Sequence, residues 1–222
     1  MKRIFFLLGA IVLCSGLASA DGHKLSCMDS QPNSAAETQL LLQAPSGAKR
    51  IGEHGLEVKY TGGVERFIDK PPYEPFGKGI LWQYCGYDSV SKIHLVSKVE
   101  GDLFSGVIVF EADGKTLNAG HTVIVSPDKK QFLAVEQEDG KDGEDWTLYT
   151  ITGKKLWSGY AGILYRIPGN NYDSVFAQFV NPEWDKDLNL TAQADCSDKK
   201  PKEKVILKNS GFDWNWTPKP HC

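Results

Sequence analysis

Short runs of alternating or continuous apolar residues, bounded by turn formers, fill most of the chain after residue 90. Residues 92–99, 107–110, 122–126, 131–136, 146–151, 156–160, 174–180, 188–192 and 204–207 read as strands. They are rich in Val, Ile, Phe, Tyr and Thr, whose side chains suit a pleated surface. Asp113-Gly114-Lys115, Pro127-Asp128-Lys129 and Thr152-Gly153-Lys154 read as the turns between them. Residues 34–43 fit either a short helix or an entry strand. Residues 69–79 carry Pro71, Pro72, Pro75, Gly77 and Gly79, which cannot join a central ladder and predict a loop.

The pattern repeats. A shift of 39 residues lays 107–125 on 146–164, with Gly114, Lys115, Leu117, Gly120 and Ile124 on Gly153, Lys154, Leu156, Gly159 and Ile163. Strand, Gly-Lys turn, strand, glycine, strand is one antiparallel unit that buries its face against its copy. The segments Thr122-Val-Ile-Val-Ser-Pro-Asp-Lys-Lys-Gln-Phe-Leu-Ala-Val and Leu148-Tyr-Thr-Ile-Thr-Gly-Lys-Lys-Leu-Trp resemble WD40-like β-propeller blades of exported proteins. The likeness spans about residues 106–180, roughly two blades, whereas a closed ring takes at least four. The expected fold is therefore all-β, with antiparallel blade-like sheets arranged as a divergent partial propeller or a β-sandwich.

The start of the chain changes the picture. Lys2-Arg3, an apolar stretch from Ile4 to Leu17 and Ala18-Ser19-Ala20 make a secretory signal, with cleavage expected after Ala20. The apolar stretch falls short of the roughly 20 residues that span a bilayer, so no stable membrane insertion is expected. Leu13 is too bulky to precede a lipidated Cys14. Residues 21–222 are then expected to form one all-β domain in the periplasm or outside the cell. Loss of Lys2 and Arg3 takes the formal net charge from -3 to -5. A mildly acidic chain without a basic patch disfavours nucleic acid as a partner.

Cys27, Cys85, Cys196 and Cys222 remain after cleavage and predict two disulfides, with three connectivities open. Sequence proximity favours Cys27–Cys85 and Cys196–Cys222. No CxxC spacing supports a metal site.

Catalytic motifs are missing. There is no Gly-x-Ser-x-Gly elbow and no His-Glu-x-x-His. Ser89 to Lys92 and Ser197 to Lys200 match Ser-x-x-Lys without a helix or a Lys-Thr-Gly companion. His121 follows Gly120 at a strand start and reads as structural. Asp185-Lys-Asp187-Leu-Asn189 opens like a calcium loop, but Leu190 and Cys196 occupy positions that need glycine and glutamate. The expectation is a non-enzyme with no cofactor and no metal.

Two features point to binding. Glu136, Glu138, Asp139, Asp142, Glu144 and Asp145 place six carboxylates within ten residues. They read as a solvated hairpin loop, a calcium site, or a loop offering negative charge to a basic protein, with Trp146 as an anchor. Phe212, Trp214 and Trp216 alternate, so their rings share one strand face. That face packs either a core or a glycan.

Small exported disulfide-bearing β proteins of this size resemble the periplasmic immunity proteins that neutralise peptidoglycan amidases delivered by type VI secretion. The resemblance is one of architecture and implies a protein partner, an envelope-targeting hydrolase, that Glu138, Asp139, Asp142, Glu144, Asp145 and Trp146 would engage. The alternative is a carbohydrate- or peptidoglycan-binding module using Phe212, Trp214 and Trp216.

Overall fold

The structure, a computed structural model, describes residues 23–27, 34–44, 47–73, 79–101, 103–137, 143–166, 174–196, 202–211 and 213–220. The first strand, β1 (His23–Ser26), precedes helix α1 (Ala35–Gln43). Strands β2 (Ala48–Ile51), β3 (Gly55–Tyr60) and β4 (Gly63–Ile68) form sheet I. Sheet II is β5 (Ile80–Asp88), β6 (Ile93–Glu100), β7 (Leu103–Phe110) and β8 (Thr116–Gly120). In sheet III, β9 (Thr122–Val125), β10 (Gln131–Glu136), β11 (Asp145–Thr150) and β12 (Lys155–Tyr160) follow in order, and β1 pairs with the outer side of β9. Sheet IV comprises β13 (Gly162–Arg166), β14 (Ser174–Trp184), β15 (Leu190–Asp195), β16 (Glu203–Asn209) and β17 (Trp214–Thr217). The all-β, antiparallel architecture expected from the pattern is what the chain adopts.

The sheets pack face to face in chain order, and the core is divided accordingly. Leu56, Val58, Phe67, Tyr84, Val96 and Val109 fill the space between sheets I and II. Ile93, Leu95, Ile108, Val123, Val125 and Phe132 lie between sheets II and III. Ile124, Leu133, Trp146, Phe179, Trp184 and Leu207 lie between sheets III and IV. Strand β9 is thus buried on both faces, with Val123 and Val125 turned one way and Ile124 the other. That is why it reads as an unbroken apolar run while β11 alternates.

The 39-residue repeat has a structural meaning. In each copy a hairpin closes through a glycine of positive φ, Gly114 (+71°) or Gly153 (+82°). The chain then bends through one residue, His121 or Ala161, into the next sheet. Each bend is tied down: Cys27 N donates to His121 O (3.4 Å), Ala161 N to Glu144 O (2.7 Å) and Phe179 N to Ala161 O (2.9 Å). At Gly120 a Cβ would stand 1.4 Å from the Val135 carbonyl oxygen, so the corner between sheets II and III admits no side chain there. The copies differ by a bulge between Leu148 and Tyr149.

Residues 34–43 resolve as a helix. Ser34 caps it, accepting from Glu37 N (3.2 Å). A disulfide joins Cys27 after β1 to Cys85 in β5, so the first strand is covalently fixed across sheets II and III. Cys196 is also disulfide-bonded, and Cys222, the partner expected for it, lies outside the described residues.

Candidate functional site

The acidic run is placed by the β10–β11 hairpin. Its rungs run from Gln131↔Thr150 to Glu136↔Asp145. The last rung sets two carboxylates directly across from each other. The apolar rungs beneath it, Leu133↔Leu148 and Val135↔Trp146, are buried and hold the hairpin. Gln137 N donates to Phe104 O (3.2 Å), which ties the hairpin base to β7. Glu138, Asp139 and Asp142 lie outside the described residues.

Trp146 is not a surface anchor. Its exposure is 0 %, and it belongs to the core between sheets III and IV. Strand β11 begins at Asp145, and its alternation turns Trp146 and Leu148 inward. The indole Nε1 donates to Glu144 Oε2 (2.9 Å). Glu144 therefore has a structural task as well as a charge.

Beside Glu144 opens a cleft of about 280 Å³, lined by Lys24 of β1, His121 and Thr122 at the bend, Glu144, and Gln178 and Asn181 of β14. His121 is 5 % exposed. Its Nδ1–H donates to the Phe104 carbonyl (3.4 Å), which leaves Nε2 as the unprotonated nitrogen of the neutral ring. Burial holds this imidazole below the ordinary histidine range, opposed by the Phe104 contact and by Glu144. The ring is thus neutral at neutral pH. Phe104, 39 % exposed, meets it edge-on at 6.3 Å. Phe104 thus contacts the bend through His121 and the hairpin base through Gln137. The cleft itself joins a carboxylate and side-chain amides, polar elements of the kind that line binding sites.

The aromatic strand is turned inward. Trp214 and Trp216 are half-buried and pack against the core between sheets III and IV. Trp216 meets Trp146 at 5.9 Å, Trp157 at 6.0 Å and Phe179 at 4.8 Å between centroids. The rings thus complete a core instead of forming an open stacking platform. Phe212 lies outside the described residues. No group of three or more His, Cys, Asp or Glu suited to a metal ion occurs among the described residues. Asp185 is occupied in closing its own turn, accepting from Asp187 N and Asn189 N, each at 2.9 Å.

Two further polar clusters gave no motif in the sequence. Glu37, fully buried, accepts from Arg50 Nη2 (2.8 Å) and Tyr84 N (2.7 Å). Tyr84 and His94 share a hydrogen bond of 2.9 Å, and Tyr87 donates to Glu111. Burial pushes His94 down to about 4 and raises both tyrosines. Tyr84 and His94 meet across the paired strands β5 and β6, whereas Glu37 reaches Arg50 and Tyr84 from helix α1.

No family model matches the chain, no curated protein matches it, and no solved structure matches it.

Proposed function

We propose that this chain is an exported, non-catalytic protein-binding protein, acting in the periplasm as an inhibitor or immunity protein against an envelope-targeting hydrolase. The observation that carries this reading is the acidic hairpin. Glu136, Glu144 and Asp145 lie at one end of β10 and β11, on a base fixed by buried rungs and bonded through Gln137 N to the carbonyl of exposed Phe104. A rigid base lowers the ordering cost of association, and clustered negative charge steers a basic partner to it. Glu144 and Asp145 act at the base of that surface, and Glu138, Asp139 and Asp142, outside the described residues, add the remaining charge of the run. Trp146 acts only through the hairpin's rigidity.

The protein needs no cofactor for this role. The glycan-binding alternative loses its main support, because Trp214 and Trp216 pack inward. Affinity capture with oxidised residues 21–222 tests the reading. A cell-wall hydrolase recovered in one-to-one ratio and inhibited by the pure protein is expected. Recovery of peptidoglycan alone would overturn it.

A further inference from the structure

Sheet I is one strand short of the sheet it covers. It sets three strands over the four of sheet II. Past β4, the sheet II face carrying Trp82, Val107, Thr116 and Asn118 becomes the floor of a groove of about 390 Å³. Trp82 and Val107 are half-buried there, and Thr116 and Asn118 are exposed.

Strand β4 forms the wall of this groove. The two-residue turn Thr61-Gly62 makes Tyr60↔Gly63 the hydrogen-bonded pair that closes the β3–β4 hairpin. Alternation then directs the backbone groups of Gly63, Glu65 and Phe67 to β3, and those of Val64, Arg66 and Ile68 away from it. Among the described residues β4 pairs with β3 alone, and the next bridge, Lys70↔Ile80, lies beyond its end. Val64 and Ile68 are 38 % and 53 % exposed. An edge with open backbone groups and exposed apolar residues is a template for another strand.

Charge narrows the occupant. On the outer face, Glu57 accepts from Arg66 Nε (2.9 Å) and lies 3.2 Å from Lys49 Nζ. Lys59 of β3 shares that outer face, which so carries three cations and one carboxylate, with Arg66 at the open edge, while Glu65 lies on the opposite, groove-lining face of β4. A second copy of this chain fits poorly. Antiparallel self-pairing centred on β4 sets Arg66 against Arg66, and like charges directly opposite are destabilising.

We propose that β4 is a docking edge for an extended acidic segment of a partner protein. The segment adds as the fourth strand of sheet I and bonds the backbone of Val64, Arg66 and Ile68. Alternate apolar side chains rest on Trp82 and Val107, and a carboxylate stands beside Arg66. Backbone bonds supply the affinity and the alternate side chains the specificity. This edge is a separate surface from the acidic hairpin and does not depend on it.

The test titrates the isotopically labelled full mature chain with the blocked peptide Thr-Val-Asp-Val-Asp-Val-Thr and with its Lys-for-Asp counterpart. In the peptide-free protein the amides of Val64, Arg66 and Ile68 are expected to exchange rapidly. The Asp peptide should protect them and bind about tenfold tighter than the Lys peptide. Arg66→Glu, an exposed substitution, should reverse that preference. Protection of these amides before peptide is added would overturn the proposal, as would equal binding of both peptides or no response at β4. Protection that accompanies a dimer in sedimentation would assign the edge to a second copy and overturn it equally.

Discussion

The two ends of the sheet stack are built from different materials. Between sheets III and IV the interface is aromatic: Trp146, Phe179, Trp184 and Trp216 pack together. A neutral bond crosses it, Trp184 Nε1 donating to Ile124 O at 3.0 Å. Between sheets I and II, by contrast, a helix and a buried ionic cluster stand in for missing sheet. Arg50 reaches Glu37, Asp69 Oδ2 (3.4 Å) and the Trp82 carbonyl (2.6 Å), and Trp82 N donates to Asp69 Oδ1 (2.7 Å). The short sheet covers only part of its neighbour with apolar side chains, and directional bonds supplement that contact. Such bonds specify geometry, but they fail abruptly when one partner is removed.

The largest effect should therefore come from breaking the ionic end. Glu37→Ala leaves Arg50 half-satisfied and Tyr84 N unbonded in the interior, and should cost about 3–5 kcal/mol. Denaturant titration measures the loss. Amide exchange should show Leu56 and Val58 opening before Phe179 and Leu207.

Acid should act at the same end. His94 titrates near 4 in the folded chain, because burial disfavours its charged form. The unfolded chain takes up this proton near the ordinary histidine value, about 6.5. The contribution is complete above pH 6.5 and is lost as pH falls toward 4, by up to about 3 kcal/mol. His121, also held low by burial, adds a loss of the same sign at the bend between sheets II and III. Asp88, Asp128 and Asp185, held low, act only further into acid. Replacing His94 by Asn should flatten the stability–pH curve between pH 6.5 and 4, and an unchanged slope would refute the assignment.

At the aromatic end, Trp146→Phe removes ring volume and the bond to Glu144, and should cost about 2 kcal/mol with no new pH dependence. The smallest effect concerns neither end. Ser126 Oγ donates to Asp128 Oδ1 (2.7 Å) and accepts from Gln131 N (3.1 Å), tightening the β9–β10 turn. Ser126→Ala should cost about 1 kcal/mol by thermal unfolding.

Where side chains alternate or run apolar against two cores, the strands were legible from residues alone. Residues 131–136 match β10 end to end, and the paired Gly114 and Gly153 of the repeat both close hairpins. The whole of sheet I went unread, although Tyr60-Thr61-Gly62-Gly63 closes a hairpin with Gly62 at φ +93°. Its alternating Lys, Glu and Arg mark a sheet with one face in water, a weaker signal than a doubly buried strand. Ser34 and Glu37 have the spacing of a capping box. Yet the Glu37 carboxylate crosses to Arg50 and Tyr84, partners that only tertiary packing supplies. Trp146 was rightly placed in a strand, but the acidic run beside it suggested an outward anchor, whereas the alternation of β11 turns its ring into the core between sheets III and IV.

The most direct test of the binding account measures affinity for the captured hydrolase at two salt concentrations. It compares the native chain with the variant Glu138→Gln, Asp139→Asn, Asp142→Asn, Glu144→Gln and Asp145→Asn. Glu144→Gln keeps an oxygen to accept from Trp146, so the hairpin base should survive. The account predicts salt-sensitive binding by the native chain and a loss of about a hundredfold or more in the variant. Equal affinity of the two, at either salt, would contradict it.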